Sequence, residues 1–580
     1  GKAPDLSRIN FSDKAVYDRI GSGDTVGTFQ IESRAQIQML RRTKPRNLEE
    51  LAIQVAIVRP GPIVGGAVNP YVRRREILRD NPRYEIPYPH PLLEEALGET
   101  LGVIIFQDQV LKVCQALANF TDGQAELLRR AMSRKRSKEA LSAQWEHFKN
   151  GAKANGVEEN TAREIFNQVT AFSEFGFPKS HAAAFGLLAY QSTWLRHYYP
   201  VEFYVGLFNN QPMGFYSLDA LGRDARRNGI KTLLPDINRS CVKCTAEGTD
   251  LRIGLGFIRG WGTEIAENVV SERESEGPYR SLLDFLRRKP TKLKRPAIEN
   301  LIWVGGFSSL GLTRRELLWQ AGLWLGPENN ETVASGRKTY AQTELALDNP
   351  YATLPFPGLN RHDRMIAEYR MLHFSTDLHP LSLLRNMLPE GTVTSNRLEH
   401  LQNGSAVLVS GLVTTRQRPS TAKGYVFLLM EDEHGPINVI VKPETYQRYR
   451  AAIRMEPFLT VGGRLQIDGS ATNIIAHELR ALKVPGVPVR RRNLFRTQDT
   501  EDIGASVLNG GMAKNTPDES HPQASDTNHT SMLDYPDLEH SQTSLYGPLE
   551  CWSEKDEAPE NPHKYLTALR QSSPEIKSFG

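Results

Sequence analysis

Between Ser405 and Leu482 the pattern switches to that of strands, where AVLVSGLVTT, YVFLLMED, INVIVK, FLTVGGRLQ and ATNIIAHEL follow one another. A period of two marks a strand with one buried face. A helical segment, Pro443–Ile453, falls between the third and fourth runs, and five strands in this order predict a five-stranded OB barrel over residues 405–486. Upstream the period becomes helical. Residues 1–205 carry long amphipathic stretches such as Thr161–Phe172 and Ala182–His197, punctuated by Pro and Gly, and predict one large helical region. Residues 206–325 predict a smaller helical module around the turn Ile258-Arg259-Gly260-Trp261-Gly262, which precedes a helix at Thr263–Glu274. Residues 326–404 mix Pro, Asn and Gly with one expected helix, Arg361–Met371, and read as a connecting helical region. Over 487–580, Ser, Asn, Asp, Pro and Thr dominate without periodicity, which predicts a disordered tail. The expected class is multidomain and mainly α, with one β barrel.

A length of 580 residues accommodates about four units at roughly 150 residues each. Apolar runs such as Leu101–Phe106 fall far short of the ~18 residues that cross a bilayer, so a membrane role is excluded. The start, GKAPDLSRIN, has neither an initiating Met nor an apolar signal segment; it reads as a fragment or processed chain with a cytoplasmic location. Four cysteines, Cys114, Cys241, Cys244 and Cys551, cannot form a disulfide framework in such a length. Cys241-Val-Lys-Cys244 has ligand spacing, but no second CxxC or HxxxH lies nearby, so the pair reads as small residues in a hairpin and no metal site is expected. Charge is unevenly spread: the tail from Val487 carries a balance of −6, which leaves +10 for residues 1–486. That excess is compatible with a polyanionic partner, and local clusters must decide.

Three clusters bear on that question. Ile258, Arg259, Gly260, Trp261 and Gly262 fit the apolar-x-Gly-apolar-Gly turn of a helix-hairpin-helix, in which glycines bring bare amides at a helix N-terminus against a backbone phosphate. The bland alternative is a structural turn with Trp261 in the core. In the barrel, Arg416, Arg418 and Lys423 crowd the first long loop while Tyr425 and Phe427 alternate on the next strand, an arrangement suited to single-stranded nucleic acid, although alternate aromatics also fill barrel cores. Finally, in Leu128 to Arg136 the eight positions from Arg129 onward hold five cations, either a solvated helix end or an arginine cluster that holds a triphosphate. Further on, Lys179 and His181 open a helix, where an anion can be met, although a lone His at such a place is more often a cap or packed surface residue.

Taken together, FQIESRAQ (Phe29–Gln36), VRPGPI (Val58–Ile63), FQDQV (Phe106–Val110), LRRAM (Leu128–Met132) and FPKSHAAAF (Phe177–Phe185) resemble the fingers region of bacterial C-family DNA polymerases, the polymerase III alpha subunit family. Asn210 to Tyr216, followed by the hairpin and a barrel entered through RQRPSTAKG (Arg416–Gly424), looks most like the error-prone, damage-inducible branch. The resemblance covers residues 13 to about 485. It implies a fingers domain at 1–205, a helix-hairpin-helix domain at 206–325 and a nucleic-acid-binding OB domain at 405–486. It further implies that Arg129 and Arg130 lie near the triphosphate of an incoming dNTP, that Phe175, Ser180 and His181 face the nascent base pair and sugar, and that Lys179 adds a phosphate contact. Many relatives have Tyr where Phe175 stands, so a hydroxyl is lost.

The family's chemistry uses two Mg²⁺ ions held by an Asp-x-Asp and a third aspartate in a palm that precedes the fingers. No Asp-x-Asp occurs from Gly1 to Gly486, and the acidic run at Asp432 sits at a strand end, so no catalytic residue or metal ligand is expected here and the chain alone should bind primed DNA without extending it. Gln542, Ser544, Leu545 and Tyr546 resemble a sliding-clamp docking peptide. The expected activity of the intact protein is DNA-directed DNA polymerisation in damage-induced translesion synthesis and repair, with primer-template DNA, dNTP, the clamp and a Y-family-like accessory protein as partners. A replicative alpha subunit and a non-enzymatic DNA-binding module are the alternatives.

Overall fold

Helices dominate as far as Leu325, and their starts follow from local sequence. Asp13, Ser33, Asn47, Ser217, Ser281 and Asn360 each stand one residue before a helix and accept a first-turn amide through the side chain. The computed structural model describes residues 3–58, 68–133, 138–173, 177–213, 216–325, 355–419, 422, 424–468, 471–482, 566–568, 570 and 577–579. The expected helices appear with slightly wider bounds, at Glu159–Ser173, Lys179–Tyr198, Gly262–Glu276, Arg361–Leu372 and Pro443–Met455. Among the described residues no helix is long and apolar enough to cross a membrane.

The region read as one helical unit is built on two cores. Val16, Ile20, Leu40, Val55, Ile105 and Tyr190 form one, and Leu97, Val113, Leu117, Phe148 and Phe166 the other. A third core runs from Val201 to Phe374. It contains a small sheet of β1 (Thr232–Leu233), β2 (Thr245–Glu247) and β3 (Asp250–Arg252). Cys241 is exposed and Cys244 buried, both as free thiols; Cys244 leads into the β2–β3 hairpin, where Asn209 grips its amide and its carbonyl at 2.8 and 2.9 Å.

The fourth core is the barrel interior. Its strands are β4 (Ala406–Gln417), β5 (Val426–Glu431), β6 (Pro436–Val441), β7 (Phe458–Asp468) and β8 (Ala471–Ala481), hydrogen-bonded in the order β5-β6-β8-β7-β4, with a β5–β4 pairing that closes the ring. Long β4 makes closure possible: its first half pairs with β7 and its second half, from Leu412, with β5. Past Leu412 the β7 side of β4 is left open, and an open edge presents unpaired amides and carbonyls. Residues Lys577–Phe579 (β9) fill it, running parallel to Thr415–Gln417. Leu566 and Ala568 are buried as well, and Arg570 donates to the Leu482 carbonyl at 2.9 Å. The end of the expected disordered tail is therefore placed on the barrel, while residues 483–565 lie outside the described residues.

Buried ion pairs join these parts within residues 1–484. Arg196, fully buried on the Lys179–Tyr198 helix, pairs with Asp24 and, at 2.9 Å, with Asp224 of the third core. Arg223 bonds Asp219 and reaches Glu431 at the end of β5 at 2.5 Å. Glu433 accepts two bonds of 2.6 Å from Arg385, and Asp432 accepts Ser395 and the amides of His434 and Gly435. The whole acidic run of the barrel is thus consumed in docking it to its neighbours.

Candidate functional site

The FQDQV and FPKSH segments meet. Pro178 opens the Lys179–Tyr198 helix in extended conformation and has no side chain with which to cap it. The cap comes from elsewhere: Asp108 Oδ2 accepts the Lys179 amide at 2.8 Å, and the Phe177 carbonyl accepts the Gln107 amide at 3.0 Å. Gln109, buried one residue on, accepts the amides of Ile105 and Phe106 at 2.9 and 3.0 Å and donates to Thr100 Oγ1 at 2.7 Å. These bonds fix the loop from which Lys179, Ser180 and His181 face outward, all three exposed.

An aromatic wall continues from that helix start. The His181 ring lies edge-on to Phe177 and Phe185, at centroid distances of 4.8 and 4.0 Å, and Phe185 contacts Phe29 at 5.3 Å. Phe29, from FQIESRAQ, is 39% exposed, so the wall is open to a planar ring. Single-residue reasoning missed Phe29; its signal is an aromatic in a loop between two helices with no periodic partner. Beneath it Glu32 is pushed up to about 7 by burial, which a Tyr216 hydrogen bond offsets only in part, and its Oε2 has no partner among the described residues. Lys179 Nζ is paired with Glu99, and both are about half exposed, a pair of little net worth that an arriving anion can replace. Arg129 and Arg130 lie in the Asp122–Ser133 helix, but their side chains, like Phe175, lie outside the described residues; of VRPGPI only Val58 is described.

At the hairpin the structural reading of the turn holds, with its apolar residues in the core. Ile258 and Trp261 are buried, and the Trp261 indole donates to the Ala297 carbonyl at 2.9 Å. Gly260 and Gly262 have φ of +84° and +66°, which other residues rarely adopt. The anchored tryptophan therefore presents Arg259 and the uncapped start of the Gly262–Glu276 helix to solvent. The Arg259 amide and carbonyl are held by the Met371 carbonyl and Asn300 Nδ2 at 3.0 and 2.8 Å, which leaves its side chain as the exposed element.

The barrel separates its five candidates. Arg416 is turned inward rather than toward a ligand: it is buried, donates to the carbonyls of Ile453 and Glu456, the latter at 2.8 Å, and burial draws it down to about 10. Its position on β4 faces the C-terminus of the Pro443–Met455 helix, whose orphan carbonyls need donors. Arg418 is exposed and lies 5.0 Å over the Tyr446 ring. Val426, Leu428 and Met430 take the interior of β5, which puts Phe427 on the opposite face, next to exposed Tyr425. Lys423 and the segment Gln542, Ser544, Leu545 and Tyr546 lie outside the described residues. Among the described residues no three His, Cys, Asp or Glu side chains gather to hold a metal ion, and the Glu431–Glu433 run is occupied by arginines and amides. These residues do not fit a catalytic metal pair.

Residues 1–156 match the bacterial DNA polymerase III alpha subunit finger domain, residues 229–317 a helix-hairpin-helix motif, and residues 396–482 the OB-fold nucleic acid binding domain. The error-prone DNA polymerase of Corynebacterium efficiens is 39% identical over 83% of this chain and 43% of its own length. Those of Mycolicibacterium paratuberculosis and Bdellovibrio bacteriovorus are 38% and 37% identical, over 82% and 83% of this chain and 42% and 46% of their own. The chain thus spans less than half the length of these relatives. With the three matches falling in order on the helical, hairpin and barrel cores, the chain is similar over these regions to error-prone members of the bacterial C family of DNA polymerases.

Proposed function

We propose that this chain supplies the fingers, hairpin and OB parts of a cytoplasmic error-prone DNA-directed DNA polymerase that acts in translesion synthesis and DNA repair. The observation that carries the proposal is the convergence of FQIESRAQ, FQDQV and FPKSHAAAF on one exposed surface, with Phe29, Phe185 and His181 as an aromatic wall and Lys179 and Ser180 beside it. The wall takes the base and sugar of a dNTP; Lys179 exchanges Glu99 for a phosphate; the Arg259–Gly262 turn holds duplex backbone without reading its sequence. Arg418, Tyr425 and Phe427 hold the single-stranded template. DNA polymerases generally use divalent metal ions; we assign Mg²⁺, with ligands outside the described residues. A sliding clamp at Gln542–Tyr546 and a Y-family-like accessory protein complete the assignment.

Primer extension by the natural full-length protein tests this reading. His181→Ala should lower kcat/KM for nucleotide incorporation by about tenfold or more, equivalent to about 1.4 kcal/mol of lost transition-state stabilisation. Unchanged incorporation would remove the aromatic wall from the nucleotide site.

A further inference from the structure

Away from that wall, local backbone chemistry collects cations in a concavity. Lys44 ends the Arg34–Thr43 helix in the left-handed region, and the Arg46 amide is held by Glu50 Oε2 at 2.7 Å, so both side chains leave the same short loop. Gly23, at φ +79°, lets Arg41 close over the end of the Lys14–Ser22 helix: a Cβ there would stand 2.9 Å from Arg41 Nε, which donates to the Ser22 carbonyl at 3.1 Å. Two recesses of about 490 and 460 Å³ open at this place and share Gly21, Ser22 and Lys44. Lys14, Arg46 and Arg79 line the first, while the second runs past Arg41 to Ile467 and Thr472 of the barrel. Gln38 Nε2 bonds Asn473 Oδ1 at 3.3 Å beside it, joining helix and barrel.

The charge is unbalanced. Five cations line the two recesses against two carboxylates, Asp18 and Glu399. Of the five, Arg79 is paired with Asp80, as neighbouring Arg42 and Arg75 are with Glu76 and Glu50, whereas among the described residues Lys14, Lys44 and Arg46 have no ion-pair partner. Like charges gathered in a concavity repel one another and focus a positive potential that an anion relieves. Each recess alone has the size of a small-ligand pocket. Their shared wall joins them, and cations spread along both suit consecutive phosphates of an extended strand.

We propose that this double recess is a groove for the backbone of single-stranded nucleic acid, leading from the β7–β8 end of the barrel along the Lys14–Ser22 helix. It rests on the reading of the chain as DNA-binding, and it is separate from the candidate nucleotide site. The test is fluorescence anisotropy of the whole chain with labelled oligo(dT) of about 15 nucleotides, the scale of one OB-type site, and with a blunt duplex, each over a salt series. Lys14→Gln/Lys44→Gln/Arg46→Gln should bind oligo(dT) at least about tenfold more weakly at low salt, with a log K against log salt slope shallower by about 2, from roughly 0.7 per lost phosphate contact. Duplex affinity should stay within about twofold, and Lys14→Arg/Lys44→Arg should bind oligo(dT) as the parent does. Unchanged oligo(dT) affinity and slope in the triple variant overturn the groove. A parent chain that binds duplex but not oligo(dT) also overturns it and leaves the DNA-binding reading standing; binding of neither overturns both.

Discussion

Two side chains show how residue type alone misleads about role. Glu32 belongs to a family motif, yet burial holds its carboxyl up to about 7, far above the usual carboxylate range. A carboxyl whose folded value is raised stabilises the fold below its unfolded value near 4.5 and loses that contribution as pH rises through about 7. Glu32→Gln should therefore leave stability at pH 4 unchanged and raise it by about 2 kcal/mol at pH 8, read from urea unfolding at the two values. An equal effect at both would mean that burial does not raise the Glu32 carboxyl. The sequence pattern groups Arg416 with Arg418 in one loop, but β4 continues to Gln417, so Arg416 is a strand residue and Arg418 lies beyond the strand end. Arg416 was drawn to the carbonyls of Ile453 and Glu456, whereas Arg418 stayed outside. Arg416→Met leaves two acceptors unsatisfied and should cost about 2 kcal/mol. Arg418→Gln should leave unfolding within about 0.5 kcal/mol of the parent. Oligo(dT) affinity should show the reverse order, and a loss confined to Arg416→Met would return that residue to the binding face.

At the scale of elements, close approach decides what a glycine is for. Gly151 lies where the Lys138–Ala154 helix crosses Gln107–Ala118, and a Cβ there would stand 1.9 Å from the Ala118 carbonyl oxygen. Backbone cannot yield as a side chain can, so Gly151→Ala should destabilise by about 3 kcal/mol despite the better helix propensity of alanine. A thermal melt that shows stabilisation would mean that the helices are free to part. The same comparison explains what the sequence made legible. The barrel could be read because Val426, Leu428 and Met430 alternate with outward residues, and the helices because stretches such as Thr161–Phe172 and Ala182–His197 are long and amphipathic. The small sheet and β9 could not be read, since elements of two or three residues carry no period and owe their pairing to a partner far along the chain. At the candidate site, Lys179 and His181 were visible as a helix start. Asp108 as its cap and Phe29 as its wall were not, because they arrive from other helices and loops through tertiary packing.

For the molecule as a whole, the barrel's value to the hairpin depends on how firmly the two are joined. Glu431 ends β5 but points out of the barrel's apolar core to Arg223, which is also held by Asp219; nearby, the wholly buried His379 is kept neutral by burial and by surrounding arginines. Breaking one partner of such a pair strands the other charge in the interior, typically at about 3 to 5 kcal/mol. In Glu431→Gln that loss falls on the junction, because Val426, Leu428, Met430, Val439 and Ile474 still close the barrel among themselves. A single calorimetric transition should then split, with the barrel melting separately. If the hairpin holds duplex while the barrel and the recess at Lys44 hold the strand beyond it, a rigid junction makes the second contact intramolecular and raises affinity for DNA that has both parts. Glu431→Gln should weaken binding to primed template with a single-stranded overhang by about tenfold, while blunt duplex and oligo(dT) alone each change by less than about twofold. Equal losses on all three ligands would place Glu431 in the binding surfaces themselves, and no loss on any would mean that hairpin and barrel engage DNA independently.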